Sequence, residues 1–210
     1  MGPKSPQYLK DELDILTEVG TTCVSHGSTA LSEILGKRID IQMPSVRIVK
    51  NNAEIDILEA GKNVTGVLSH LLTGLKGNVM VIFDEKSSFQ LIDLTITSPV
   101  ESNRSGDLTE IGISGIKEVG HVIISSYINA LGLILNRLII CSVPTLINGG
   151  LRDIVNMAAF SCETDDKSIL LIEAVFEEHQ HKIKGSFYLL LNHDAVKDIQ
   201  KICKDSLKKQ

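Results

Sequence analysis

Asp14-Ile15-Leu16-Thr17-Glu18-Val19-Gly20-Thr21 returns 100 residues later as Ser114-Gly115-Ile116-Lys117-Glu118-Val119-Gly120-His121. The two copies stay in step without a gap. Ser25 answers Ser125, Ala30-Leu31-x-x-Ile34-Leu35 answers Ala130-Leu131-x-x-Ile134-Leu135, and Pro44 answers Pro144. An internal repeat constrains architecture before any local reading does, because each unit must find the same solution to burying its apolar face.

Within each copy the apolar residues recur at helical spacing. Leu9, Leu13, Leu16 and Val19 continue through Cys23, Val24, Leu31 and Leu35, and Ser5-Pro6 supplies a helix start. Gly36 stops the first helix where a left-handed residue is needed, and Asn136 stops the second for the same reason. Asp107-x-x-Glu110 has the pattern of a capping box for the second helix. A strand is expected after each helix, over Arg38 to Lys50 and Leu138 to Ile147. The prolines partway along mark an edge or a break.

Two hairpins follow, Val64 to Leu72 with Gly77 to Phe83, and Ile169 to Glu177 with Gly185 to Leu191. Helices are expected over Glu85 to Ile96 and His193 to Lys208. Strands joined by hairpins imply an antiparallel sheet with helices packed on it, an α+β class. The expected organisation is one domain over 1–210. Its two repeats span about 6–97 and 107–209, and the Ser-, Asn- and Gly-bearing segment 98–106 links them. Leu151 to Phe160 reads as an amphipathic helix with Met157 and Phe160 in its packed face.

A net charge of -5 and a pI near 5.7 argue against nucleic acid as a partner, since phosphate binding relies on clustered Lys and Arg. The run from Val122 to Val143 is long enough to span a bilayer, but Asn129, Asn136 and Arg137 interrupt it. A buried helix running into a strand explains it better, so no membrane role is expected. Four cysteines show no metal spacing, and Cys23 and Cys141 fall in apolar segments, which suits buried free thiols and a cytoplasmic protein. His179 and His181 lack a third ligand and read as a solvated turn, so neither a metal nor a cofactor is expected.

Positions i, i+4 and i+7 line one helix face. Asp14, Glu18 and Thr21 therefore form one polar row, and Ser114, Glu118 and His121 a second. Val19 and Val119 point toward the core, while Gly20 and Gly120 leave room for another backbone or a partner. A lone Glu on a helix is usually a solvated residue; its duplication in the same setting sets this one apart.

The spacing Asp/Ser-x-x-x-Glu-x-x-Asn-x22-Pro, met twice, resembles the signature of the CheC/CheX/FliY phosphatases of chemotaxis. Leu31 to Ile41 and Thr73 to Gly77 also look like CheC, and two sites suggest CheC over CheX. The resemblance covers nearly the whole chain. It implies a CheC-like fold and a signalling protein of the two-component type that binds the response regulator CheY and hydrolyses its aspartyl phosphate. Glu18 and Glu118 would engage the regulator, with Asp14, Ser114, Pro44 and Pro144 on the partner-binding face. The residue at position 21 or 121 would orient the attacking water. Acyl phosphate is already activated, so such catalysis is mostly positioning.

Both copies depart from the family at that last position: the expected Asn is Thr21 in one and His121 in the other. Threonine's hydroxyl is shorter than a carboxamide. Neutral histidine has one donor and one acceptor at fuller reach and titrates near neutrality, which would make activity pH-dependent. A second expectation therefore stands beside the phosphatase: a non-catalytic CheC-like adaptor for CheY or the deamidase CheD. In CheC proteins a region near Leu151 to Phe160 contacts CheD.

Overall fold

The computed structural model describes residues 6–42, 45–50, 61–95, 110–162 and 168–207. The elements run α1 (Pro6–Leu35), β1 (Asp40–Ile41), β2 (Ser45–Lys50), β3 (Asn63–Thr73), β4 (Gly77–Asp84) and α2 (Glu85–Thr95) in the first half. The second half follows with α3 (Glu110–Leu135), β5 (Ile140–Cys141), β6 (Thr145–Gly150), α4 (Leu151–Phe160), β7 (Ser168–Glu178), β8 (Ile183–Asn192) and α5 (His193–Leu207). The class is α+β with an antiparallel sheet, as the hairpin spacing implies.

Both long helices end as their last residues dictate. Gly36 sits at φ +59° and Asn136 at φ +47°. Past each, an amide N–H reaches back to the helix, Lys37 to Ser32 O at 3.2 Å and Arg137 to Gly132 O at 2.9 Å. These are the long bonds of a Schellman stop, which reverses the chain toward the sheet. The starts at Ser5 and Asp107, the linker 98–106 and Pro44 lie outside the described residues. Pro144 falls between β5 and β6, so it breaks the strand there. A proline cannot donate to a ladder, and this break lies on a strand at the sheet's edge.

The halves exchange strands. β2 of the first half pairs with β7 of the second, and β6 of the second pairs with β3 of the first. At the centre β4 lies against β8, with the equivalent residues Met80 and Tyr188 facing each other. A pseudo-dyad passes through that pair, and neither half's edge strand rests on its own hairpin.

The sheet is covered on both faces, so its central strands read as continuous apolar runs rather than alternating ones. One face carries Val67, Val81, Phe83, Ile172 and Leu189 against α1, α2, α3 and α5. The other carries Leu68, Met80, Leu171, Tyr188 and Leu190 against α4. α4 buries Leu151, Ile154, Val155, Ala158 and Ala159. Met157 and Phe160 are not in that packed face: they are 52% and 77% exposed, which corrects the expectation from the sequence. With Ile154, Val155 and Ala158 taking the inward stripe, positions 157 and 160 fall on the opposite side of a 3.6-residue turn.

α3 is long and apolar enough to cross a membrane, yet 56% of its most apolar window is buried against the rest of the protein. It is the central helix of the larger core. Gly120 explains how it sits so close: a Cβ there would lie 2.6 Å from Val67 Cγ2 on β3. The room that glycine leaves is therefore taken by the chain's own sheet, not by a partner. Gly20 is likewise buried.

Burial also sets the thiols. It raises Cys23 to about 12, and Cys141 and Cys162 to about 11 each, so all three are protonated at neutral pH. Cys141 is half-buried rather than buried.

Candidate functional site

Each long helix turns its polar row outward because its apolar stripe is committed to the core. On α1, Leu16, Val19 and Cys23 are buried, while Asp14 and Glu18 are exposed and Thr21 is half-buried. On α3, Ile116, Val119 and Ile123 are buried, while Ser114, Glu118 and His121 are all exposed. Val19 and Val119 point inward as the spacing predicts, at 8% and 2% exposure.

The third residue of each row differs in what it has left to offer. Thr21 Oγ1 donates to Thr17 O at 2.8 Å. It belongs to a ladder on the same helix in which Thr22, Ser25 and Thr29 donate to the carbonyls of Glu18, Thr21 and Ser25. Such back-bonding satisfies a helical hydroxyl locally. Thr21 keeps lone pairs to accept a bond, but its one hydrogen is spent, so it cannot at once hold a water and donate to an oxyanion. The His121 side chain makes no hydrogen bond or ion pair among the described residues, and neither do the side chains of Glu118, Glu18, Asp14 or Ser114. Row two thus presents a free carboxylate one turn from a free imidazole, which has both a donor and an acceptor in its neutral form.

Spacing could not show this difference between the rows. The signal was present as the run of hydroxyl residues at 21, 22, 25 and 29, each four residues from a carbonyl it can reach. Pro144 is half-buried beside β6 and adds no charged or hydrogen-bonding group to the row.

The two histidines near the second hairpin tip do not act together. His179 Nε2 lies 3.0 Å from Asp40 Oδ2, whose carboxyl is held below its usual range chiefly by the Arg38 hydrogen bond. His181 Nδ1 lies 3.1 Å from Glu178 Oε2. Each ring serves a separate carboxylate, and no metal-binding group of three occurs among the described residues.

These features define a class of protein: a pseudo-dyadic α+β body with an edge-strand exchange that displays one acidic helical row in each half. No protein-family model matches the chain. It is 21% identical over 200 residues to the CheY-P phosphatase CheC of Bacillus subtilis (strain 168), which covers 90% of this chain and 92% of that one. The crystal structure of Thermotoga maritima FliY superposes with a TM-score of 0.72 at 26% identity, covering 98% of both chains. CheX from the CheX–CheY–BeF3–Mg complex of Borrelia burgdorferi has a TM-score of 0.54 at 16% identity and covers 81% of this chain and 96% of its own. The chain is thus similar in sequence and fold to proteins of the CheC/CheX/FliY family.

Proposed function

We propose that this protein binds the phosphorylated response regulator CheY and hydrolyses its aspartyl phosphate, with the α3 row as the working site. Glu118 docks the regulator, and His121 takes the place of the family's asparagine in holding the attacking water. Glu18 and the α1 row keep the docking carboxylate but hydrolyse poorly, because the Thr21 hydroxyl is bonded to its own helix. The observation that carries this reading is the free, exposed pair Glu118 and His121 on one helix face. The CheC relative named as a CheY-P phosphatase and the CheX fold solved with CheY support it.

The mechanism asks little covalent chemistry of the protein. The mixed anhydride of the regulator is already activated, so what is needed is an in-line water and a donor where charge gathers. His121 with its proton on one nitrogen offers an acceptor to the water and a donor elsewhere on the ring. A Mg²⁺ ion in this reaction belongs with the regulator's acidic site. We place the reaction in the cytoplasm and read residues 1–210 as one domain of two repeats.

The adaptor reading has its own observation. Met157 and Phe160 on α4 are exposed on the sheet's far side, away from both helical rows, where an apolar partner such as CheD has access.

Phosphate release from phosphorylated CheY separates the two readings. The wild type is expected to exceed the regulator's own decay, with His121→Ala and Glu118→Gln each lowering the rate and Thr21→Ala leaving it nearly unchanged. Removing one transition-state contact costs on the order of 10² in such sites. A wild type that binds the regulator without accelerating its decay establishes the adaptor.

A further inference from the structure

The pseudo-dyad supplies an internal control, because each corner of the sheet occurs twice. Ser45 pairs with Glu173 where Thr145 pairs with Leu68, so Leu68 and Glu173 are equivalent. Across the hairpins Leu68 faces Met80 and Glu173 faces Tyr188. The second hairpin is therefore three residues longer at its turn. The same register makes Gly74 equivalent to Lys182, and Gln90 on α2 equivalent to Asp198 on α5.

At the first corner an arginine fills the gap between turn and helix. Arg137 Nη1 donates to Asp198 Oδ2 at 2.9 Å and to Gly74 O at 2.7 Å. At the second corner the equivalent residue is Lys37, and it does not enter. Its Nζ instead donates to Gln180 Oε1 at 3.2 Å. A cleft of about 360 Å³ is left, lined by Lys86, Gln90 and Asp93 of α2 and by Gln180, His181 and Lys182 of the longer turn.

Three further features mark this cleft as a built site. Gln90 Oε1 is shielded from water and has no hydrogen-bond partner, although its counterpart Asp198 is bonded to arginine. A buried acceptor left unpaired is costly. Lys182 holds a left-handed backbone at φ +58°, where the first corner uses Gly74. Strain of that kind at a non-glycine residue points to a use for the side chain. The turn is also fixed in place. The Glu178 carboxylate accepts the N–H groups of Gln180 and His181 at 3.0 and 2.7 Å, and Lys184 N–H donates to Ser87 Oγ at 2.9 Å. Lys86, Lys182 and Asp93 form no ion pair among the described residues.

We propose that this cleft binds a small zwitterion of the amino-acid type. Its carboxylate is held between the Lys86 and Lys182 ammonium groups, and its ammonium is held by the Asp93 carboxylate and by Gln90 Oε1, which a rotation of the Gln90 side chain brings from its shielded position into the cleft. The cationic end thus takes the place that the Arg137 guanidinium takes at the other corner. The volume falls within the usual range for small-molecule pockets and leaves room for a side chain. The cleft shares no residue with either helical row, so the proposal stands apart from the phosphatase reading.

The test is an amide-resolved NMR titration of the full chain, separately with L-alanine, L-glutamate and L-arginine, and with acetate and methylammonium as the two halves of the ligand. At least one amino acid is expected to give saturable shifts at residues 86–94 and 180–184, with a Kd of about 1 mM or tighter. Acetate and methylammonium are expected to bind at least about tenfold more weakly. Lys182→Gly should raise the melting temperature by relieving the turn, yet weaken binding by about tenfold or more. The proposal is overturned if no amino acid saturates the cleft, if acetate alone matches the best amino acid, or if Lys182→Gly binds like wild type.

Discussion

The same substitution, glycine to alanine, should have opposite effects at Gly27 and Gly120. Both residues lie inside long helices, where alanine is intrinsically favoured by about 0.8–1 kcal/mol. At Gly27 the added Cβ would lie 3.5 Å from Ile123 Cγ2 and 3.9 Å from Tyr127 Cβ, ordinary contact distances. It would also reduce a small crevice between α1 and α3 that Tyr127 and Phe187 help to line. Gly27→Ala is therefore expected to stabilise the protein by about 1 kcal/mol. At Gly120 the added Cβ would lie 2.6 and 2.7 Å from Cγ2 and Cβ of Val67, a fully buried residue of β3. Relief requires α3 and β3 to part by most of an ångström across the central core.

Overpacking of that kind costs about 1–3 kcal/mol, which cancels or exceeds the helical gain. The two variants should differ by about 2 kcal/mol in urea unfolding followed by circular dichroism, with an unchanged denaturant slope. Val67→Ala should recover part of the loss at Gly120, because the two residues are in contact and their effects do not add. Gly120 also lies between Glu118 and His121, so the shift should lower phosphate release beyond the loss of folded protein. A Gly120→Ala protein as stable as Gly27→Ala would refute the close approach of α3 to β3 and with it the placing of the α3 row.

Three other outcomes follow from particular contacts. Arg47→Ala leaves Glu173, 5% exposed and bonded to Tyr188 Oη at 3.1 Å, without the guanidinium now 2.9 Å away; since Arg47 is itself partly exposed, the expected cost is about 2 kcal/mol in thermal or urea unfolding, below the full range for a buried pair. Burial pushes the Glu178 carboxyl up, but hydrogen bonds from His181 and Gln180 outweigh it and hold it below its ordinary 4.5. A depressed folded value means stability present above about 4.5 and lost as pH falls through it, so Glu178→Gln should flatten the acid limb of a melting-temperature profile. In a Cys203→Ser background, the native protein should react with a thiol reagent at pH 8 far more slowly than the urea-unfolded chain, because Cys23, Cys141 and Cys162 stay protonated up to about 11 or 12. Fast reaction of the native protein would show that the thiol environments are wrong.

Much of this protein was legible in its sequence because the signals are local. Apolar periodicity set the helices, and Gly36 and Asn136 set their ends, since few residues tolerate a left-handed backbone. Hairpin spacing set the antiparallel sheet, and the i, i+4, i+7 rule set which side chains share a face. The repeat carried all of this from one half to the other. Glu18 and Glu118 were placed outward correctly because burying Val19 and Val119 leaves them no alternative.

What only the tertiary structure decided depends on contacts between residues far apart in the chain. Exchange of β2 and β6 between halves is a matter of which edge meets which hairpin, and no local preference encodes it. Covering the second face of the sheet falls to α4, so Met157 and Phe160 turn outward although they sit in an amphipathic helix. The cleft beside Gln90 exists because Lys37 and Arg137, equivalent in the repeat, end on different partners. Sequence by itself determined where the acidic rows stand; three-dimensional packing determined that the Thr21 hydroxyl is spent on its own helix while His121 remains free, because hydrogen-bond partners are chosen by geometry and not by spacing.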